Sequence, residues 1–142
     1  MQDVEREGTP SQSEAYRRGV ERRSRIVGAR GERRRQMWRA LHPDLERFVL
    51  ETAWGGILER PGLDEKTREL ITLGMLLALG RDGEARTHFH GALNAGLTKD
   101  ELVELLLQAG IYAGFPAMLN GARLLAEVLE ERGQLDLPAE SG

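Results

Sequence analysis

One turn of polypeptide, residues 81–90, brings together side chains that can move protons or bind anions. It reads Arg-Asp-Gly-Glu-Ala-Arg-Thr-His-Phe-His. Residues four apart on a helix share a face, so Glu84 and His88 are expected to lie side by side. A carboxylate beside an imidazole can orient the ring, and either group can transfer a proton to or from a substrate. On spacing alone, an ordinary surface ion pair is the more common interpretation.

Metal binding and nucleophilic catalysis are weaker hypotheses for this turn. His88 and His90 are two residues apart, about 200° around a helix, so both cannot face one ion. Glu84 and His88 supply two ligands, whereas a catalytic zinc site usually needs a third. The chain contains no cysteine, which excludes disulfides, thiolate catalysis and cysteine-ligated metals. The sequence also has no Gly-x-Ser-x-Gly elbow, Walker loop or Rossmann fingerprint.

The length of 142 residues is enough for one domain with its own core. Charge is uneven, because residues 1–40 hold eleven Arg against six acids and the rest holds nine basic residues against seventeen acids. A basic segment can bind nucleic acid, but here acids interleave with the arginines and no aromatic stacking platform accompanies them. We therefore favour a salt-bridged helix that packs on an acidic neighbour, and expect no nucleic-acid partner.

Residues 105–122 carry no charge over 18 positions, a length that raises the question of a membrane span. Glycines and Pro116 interrupt this stretch, which favours two buried helices joined by a turn. The first residues show no signal-peptide pattern. We expect no membrane association and a cytoplasmic protein.

The sequence predicts an all-α domain, because no stretch alternates apolar and polar residues as a strand would. Caps and helix breakers set where the helix that carries residues 81–90 begins and ends. We predict a disordered segment over residues 1–10, one helical domain over 11–132 and a flexible tail over 133–142. Ser11 or Ser13 is the expected first cap, and Asp64 and Thr98 are expected caps farther along. Two helices are apolar on nearly all sides, which predicts a partner subunit. The first predicted helix runs from the first cap to about residue 27. Further helices are predicted over about residues 32–41, 43–54, 64–79, 82–94, 99–112 and 116–132.

Short motifs spread over residues 16–132 carry a family resemblance by their order and spacing. The motifs are Tyr16-x-x-Gly19 with Arg23, Ala53-Trp54-Gly55, Arg60-Pro61-Gly62-Leu63, Thr67-Arg68-x-Leu70, Arg81-x-Gly83-Glu84-x-x-x-His88, Ala92-x-Asn94-x-Gly96 and Ile111-Tyr112-x-Gly114-x-Pro116. By these motifs the chain resembles the carboxymuconolactone decarboxylase family, and within it the cysteine-free decarboxylase branch.

The resemblance implies an all-α fold shared with the alkylhydroperoxidases, and a homo-oligomer, either a hexamer or a trimer. Alkylhydroperoxidases use a Cys-x-x-Cys motif and a later histidine. Arg81 and Glu84 stand at the two cysteine positions here and His88 at the histidine position, so thiol peroxidase activity is excluded. The implied reaction is cofactor-free decarboxylation of 4-carboxymuconolactone to the enol-lactone of 3-oxoadipate, in the β-ketoadipate pathway of aromatic catabolism.

The resemblance also suggests roles for particular residues. His88 is the expected proton donor or oxyanion partner, and Glu84 orients it or exchanges its proton. Arg81 is the candidate carboxylate clamp, because a guanidinium binds carboxylates in a bidentate way.

Three further residues, Trp54, Tyr112 and His90, are candidates for the substrate pocket. The alternative is that Trp54 and Tyr112 are core aromatics and that His90 faces outward.

The sequence departs from the decarboxylase pattern at four positions. Thr52 stands where a histidine is common, His90 where an arginine is expected, and Leu119 and Arg123 where asparagine and histidine occur. These departures leave two alternatives to the implied reaction. One is a family relative that acts on a different carboxylic acid or lactone, and the other is a non-catalytic binding or assembly protein.

Overall fold

The structure, a computed structural model, describes residues 12–140. Within that range the chain forms seven α-helices and one π-helical segment and contains no strand, so the all-α prediction is confirmed. Ser11 and the predicted disordered segment over residues 1–10 lie outside the described residues. The elements are α1 (Glu14–Val27), α2 (Ala29–Leu41), α3 (Pro43–Phe48), the π-helical segment (Val49–Ile57), α4 (Glu65–Leu79), α5 (Asp82–Asn94), α6 (Lys99–Tyr112) and α7 (Phe115–Glu131).

The helix starts follow the caps that the sequence predicts. Ser13 Oγ accepts a hydrogen bond from the backbone N–H of Tyr16 at 3.0 Å, and Asp64 Oδ1 accepts one from Thr67 at 2.7 Å. Thr98 and Glu101 form a reciprocal capping box at the start of α6. Each side chain satisfies a backbone donor that has no partner within its own helix.

The segment after α3 is wider than the regular helix that the sequence predicts, so that prediction was wrong in helix type. The N–H of Leu58 donates to the carbonyl of Ala53 at 2.9 Å, a bond that spans five residues. Segments of this kind are rare and often mark functional sites. Here the widened turn packs closely against α1, because Gly19 and Gly55 place no side chain between the two backbones. The arrangement turns Trp54 inward.

Two apolar clusters form the core, and α5 lies between them. The larger cluster joins α4 to α7 and contains Leu73, Phe89, Leu102 and Val128, all fully buried. The smaller cluster joins α1 to the π-helical segment. Asn94 on α5 ties the two together, because its Nδ2 donates to the carbonyl of Ile26 on α1 at 2.7 Å.

The apolar helices α4 and α6 are buried on one face only. Side chains on their other faces are exposed to solvent within this chain: Ile71, Met75, Leu79, Val103, Leu107 and Ile111. The expected burial of residues 105–122, which span the end of α6 and the start of α7, holds only in part. Leu106 and Ala109 are buried, whereas Phe115 and Leu119 are exposed. In the described part of the chain, no helix has both the length and the apolar character needed to cross a membrane.

The close contact between α1 and the π-helical segment yields a stability prediction. A methyl group added at Gly55 would lie 1.8 Å from the carbonyl oxygen of Ala15, a backbone atom that cannot rotate away. We expect Gly55→Ala to lower the free energy of unfolding by about 2 kcal/mol, in the range typical of overpacked cores. Urea denaturation measures the loss, and Gly62→Ala is the control because no atom lies within 4 Å of its added carbon. Equal stabilities for the two variants would contradict this contact.

Candidate active site

A histidine on α5 and a carboxylate on α4 form the candidate site. The Nδ1 atom of His88 lies 2.9 Å from Oε2 of Glu69. Glu69 is 4% exposed, whereas the His88 side chain keeps 17% of its surface accessible. When the carboxylate accepts the Nδ1 proton, the ring orientation is fixed and Nε2 is left for another partner. A buried acid holding a partly open imidazole is an arrangement suited to proton transfer.

Glu69 is not among the site residues predicted from the sequence, although its position carried a signal. Glu69 precedes the buried Leu73 and Leu77 by four and eight residues, so it stands on the core-facing stripe of α4. A carboxylate on such a stripe needs a partner, because an unpaired buried charge is costly. Gly91 on α5 provides the space, since a carbon added there would lie 3.3 Å from Oε2 of Glu69.

Trp54 forms one wall of the site. Its ring stacks on the His88 ring with the centroids 6.0 Å apart and the planes inclined by 7°. The guanidinium carbon of Arg23 lies 5.9 Å from the centre of the Trp54 ring and 4.8 Å from that of Trp38. Trp54 is therefore a core aromatic, as expected, that also contacts the ring of His88. Its place in a substrate pocket stays a prediction.

Arg23 is a buried cation next to this wall. Its Nη1 donates to the carbonyl of Gly31 at 2.6 Å, and no carboxylate within residues 12–140 pairs with it. Burial, together with the charges of Arg34 and Arg35, lowers the pKa of Arg23 to about 10. The two indole rings replace part of the lost hydration of the guanidinium.

Glu84 does not occupy the place that its spacing predicts. It is exposed, and the described residues show no hydrogen bond or ion pair between it and His88. The expected pairing was wrong because the His88 ring turns inward to Glu69, away from the solvent-facing start of α5. Arg81 precedes the first turn of α5 as its N-cap and is also exposed. Along α5 the chain thus passes from Arg81 at the exposed end, through Glu84, to His88 beside the buried Glu69.

His90 belongs to a different cluster and is buried, so its expected outward orientation was wrong. It is 5% exposed; Nε2 lies 3.2 Å from Oε2 of Glu131, and Nδ1 lies 3.4 Å from Nη1 of Arg132. A neutral ring that donates from Nε2 and accepts at Nδ1 satisfies both neighbours. Burial, together with the charges of Arg30, Arg132 and Arg86, lowers the pKa of His90 to about 4.

Tyr112 lies apart from His88, and its expected core position was wrong. It is 85% exposed at the end of α6 and lines a groove between α4 and α6 that includes neither His88 nor Glu69. Among the other positions that depart from the decarboxylase pattern, Arg123 pairs with Asp82 and Glu127 on the surface. No group of three or more potential metal ligands occurs within residues 12–140.

The fold and the site define a small all-helical protein in which a histidine contacts a buried acid and which contains no thiol. The chain belongs to the carboxymuconolactone decarboxylase family, whose model matches residues 43–127. It is 39% identical to the 4-carboxymuconolactone decarboxylase of Acinetobacter baylyi over 119 residues, which cover 83% of this chain and 89% of the relative.

A second relative is the nitrosuccinic acid decarboxylase of Metarhizium robertsii. It is 39% identical over 75 residues, which cover 53% of this chain and 52% of the relative. A third, an uncharacterized 15.0 kDa protein of Paracoccus denitrificans, is 32% identical over 116 residues, covering 70% of this chain and 87% of the relative. Two of these relatives are decarboxylases, which supports an enzyme of the carboxy-lyase class.

The buried neutral His90 makes stability depend on pH. Between pH 6.5 and about 4, the unfolded chain protonates this histidine while the folded chain does not, so stability falls as pH falls through that window. From pH 7.5 to pH 5.0 the wild type should lose about 2 kcal/mol through His90 alone. At pH 7.5 and above, the residue is almost wholly neutral in both states and adds little slope.

His90→Gln removes this titration while keeping a polar side chain. Urea denaturation of both proteins at the two pH values isolates the contribution of His90, since groups such as Glu127 titrate in both. The free energy of unfolding of the wild type minus that of the variant should fall by about 2 kcal/mol between pH 7.5 and pH 5.0. A constant difference would show that His90 is not held neutral.

Proposed function

We propose that the protein decarboxylates 4-carboxymuconolactone or a closely related carboxylic acid, with His88 as the proton-transferring residue. The observation that supports this role most directly is the contact between His88 and the buried Glu69. The similarity to the decarboxylase of Acinetobacter baylyi over most of both chains supports the substrate class.

The substrate itself supplies the electron sink that decarboxylation needs. Cleavage of the bond between the carboxylate and the γ-carbon of the unsaturated lactone releases CO₂ and leaves the electron pair on that carbon. The pair spreads through the double bond to the lactone carbonyl, giving a dienolate. A proton then adds to carbon and the carbonyl is restored. The protein must hold the anionic substrate, stabilise the dienolate oxygen and deliver the proton.

His88 and Glu69 are suited to stabilise the dienolate oxygen and to deliver the proton. Glu69 accepts the Nδ1 proton and fixes the ring, so Nε2 is the nitrogen that faces the substrate. When protonated, Nε2 can donate to the dienolate oxygen or to carbon. Trp54 stacks on the ring and limits its rotation. Glu69 is a positioning residue in this scheme, because it acts through the imidazole.

The acid that the enzyme uses is the second part of the proposal. In nitrosuccinic acid a nitro group stands beside a carboxylate, so loss of CO₂ leaves an anion delocalised onto the nitro oxygens. The lactone and the nitro acid thus share a built-in electron sink and a second carboxylate. The similarity to the fungal decarboxylase makes nitrosuccinic acid the second candidate substrate.

The first test is turnover with each of the two acids, followed by CO₂ release. Release above the uncatalysed rate with 4-carboxymuconolactone supports the main proposal, and release with nitrosuccinic acid alone supports the second. Absence of release with both would contradict the substrate proposal.

The second test removes the members of the pair. We expect His88→Gln and Glu69→Gln to lower kcat by about 10²-fold or more, the scale of general acid–base catalysis. Glu84→Gln should cost less, because Glu84 does not contact the ring. Glu130→Gln is the matched control, since Glu130 is exposed on α7 and no ion pair involves it within residues 12–140. A folded Glu69→Gln variant with wild-type kcat would remove Glu69 from the scheme.

A third test concerns the carboxylate clamp. Arg81 is exposed near the start of α5, and no acid pairs with it in the described part of the chain. We expect Arg81→Gln to raise KM about tenfold while kcat changes less, because a clamp used equally in the ground and transition states contributes to binding. Arg17→Gln on α1 is the control. An unchanged KM would exclude Arg81 as the clamp.

A further inference from the structure

The buried guanidinium of Arg23 has no part in the proposed reaction, although it lies close to the site. Arg23 is 4% exposed, and its Nη1 donates to the carbonyl of Gly31 at 2.6 Å. Its Nε is also buried and has no hydrogen-bond partner among residues 12–140. Glu32, whose charge favours the guanidinium, forms its ion pair with Arg35 instead. The charge of Arg23 is therefore left without a direct acidic partner in the described part of the chain.

Stability alone does not account for an arginine at this position. A buried cation without a carboxylate partner is costly, and Arg34 and Arg35 add like charges nearby. Replacing buried charged groups by well-packed apolar side chains is often neutral or stabilising. A methionine would fill much of the same space without the electrostatic cost. The charge is better explained by its effect on the side chains around it.

Two indole rings lie beside the guanidinium of Arg23. Its carbon is 4.8 Å from the centre of the Trp38 ring on α2 and 5.9 Å from the centre of the Trp54 ring on the π-helical segment. The face of an indole attracts a cation within about 6 Å, and more strongly where water is excluded. The attraction depends on which way the ring faces, so an indole that turned away would lose it. Arg23 therefore favours one orientation of Trp54.

The orientation of Trp54 matters because its ring lies along the ring of His88. The two planes are inclined by 7°, and the centroids are 6.0 Å apart. Glu69 holds a single atom of the imidazole, Nδ1, at 2.9 Å. One hydrogen bond fixes that atom but allows the plane of the ring to swing about it, and the parallel indole limits the swing. The direction of Nε2 thus depends on Trp54 as well as on Glu69.

We propose that Arg23 is a positioning residue for His88 and acts through Trp54. The guanidinium is anchored by the carbonyl of Gly31 and by Trp38, and it holds the Trp54 ring parallel to the imidazole. Gly31 is part of this arrangement, because a carbon added there would lie 3.0 Å from Nη1 of Arg23. The proposal rests on the proposed function of His88, since it concerns the geometry of the same site.

The first test is NMR spectroscopy of the free enzyme and needs no substrate. The ring current of Trp54 shifts the resonances of the carbon-bound protons of His88. The chain has three histidines, so the His88 signal is the one that His88→Gln removes. Arg23→Met should change the chemical shift of this signal, and Arg23→Lys, which keeps a cation, should change it less. An unmoved His88 signal in a folded Arg23→Met variant would overturn the proposal, whatever the substrate is.

The matched control is Arg18→Met. Arg18 lies on the same helix as Arg23, is exposed, and pairs only with the exposed Glu14 among residues 12–140. Its replacement removes the same charge and introduces the same side chain. It should leave the His88 signal unchanged, because Arg18 contacts neither indole. A shift equal to that of Arg23→Met would indicate a general effect of charge and would also overturn the proposal.

The second test separates positioning from folding. Arg23→Met should keep or raise the free energy of unfolding in urea, because an apolar side chain replaces a buried cation. With the acid that the enzyme turns over, kcat should fall about tenfold, because a misaligned Nε2 transfers the proton less efficiently. KM should stay within about twofold, since the substrate contacts remain. Arg23→Lys should recover part of the lost kcat.

A further variant serves if Arg23→Met does not fold. Trp38→Leu removes one of the two rings beside Arg23 and leaves Trp54 and His88 in the sequence. It should move the His88 signal and lower kcat in the same direction, to a smaller extent. Wild-type kcat in a folded Arg23→Met variant, or in Trp38→Leu where that variant replaces it, would overturn the proposal. If neither candidate acid is turned over, the substrate proposal fails, whereas the NMR measurement still decides the role of Arg23.

Discussion

The buried carboxylate of Glu69 is the constraint on which the site depends. A charge held away from water needs a partner, and the contact with His88 supplies it. A side chain at Gly91 would crowd this contact, because an added carbon would lie 3.3 Å from Oε2 of Glu69 and 2.9 Å from a methyl carbon of Ile26 on α1. The same region carries the bond from Asn94 to the carbonyl of Ile26. The contacts that pack α1, α4 and α5 together therefore also hold Glu69 and His88 in place.

The two histidines of α5 show how environment divides roles between identical side chains. His88 contacts one buried acid and an indole, and keeps part of its surface open. His90 lies two residues on, so it faces the opposite side of the helix. There Glu131 and Arg132 engage both ring nitrogens, and burial lowers the pKa of His90 to about 4. A ring with both nitrogens occupied has none to offer a substrate, whereas His88 retains Nε2.

Local signals in the sequence predicted the helices well and the site only in part. Ser13, Asp64 and Thr98 act as caps through hydrogen bonds to residues three positions away, so their effect can be derived from adjacent sequence. The π-helical segment was not predictable in this way, because it depends on the contact with α1. Glu84 was expected beside His88 by the same local logic. The actual partner, Glu69, is 19 residues away, and only the packing of α4 on α5 brings it there.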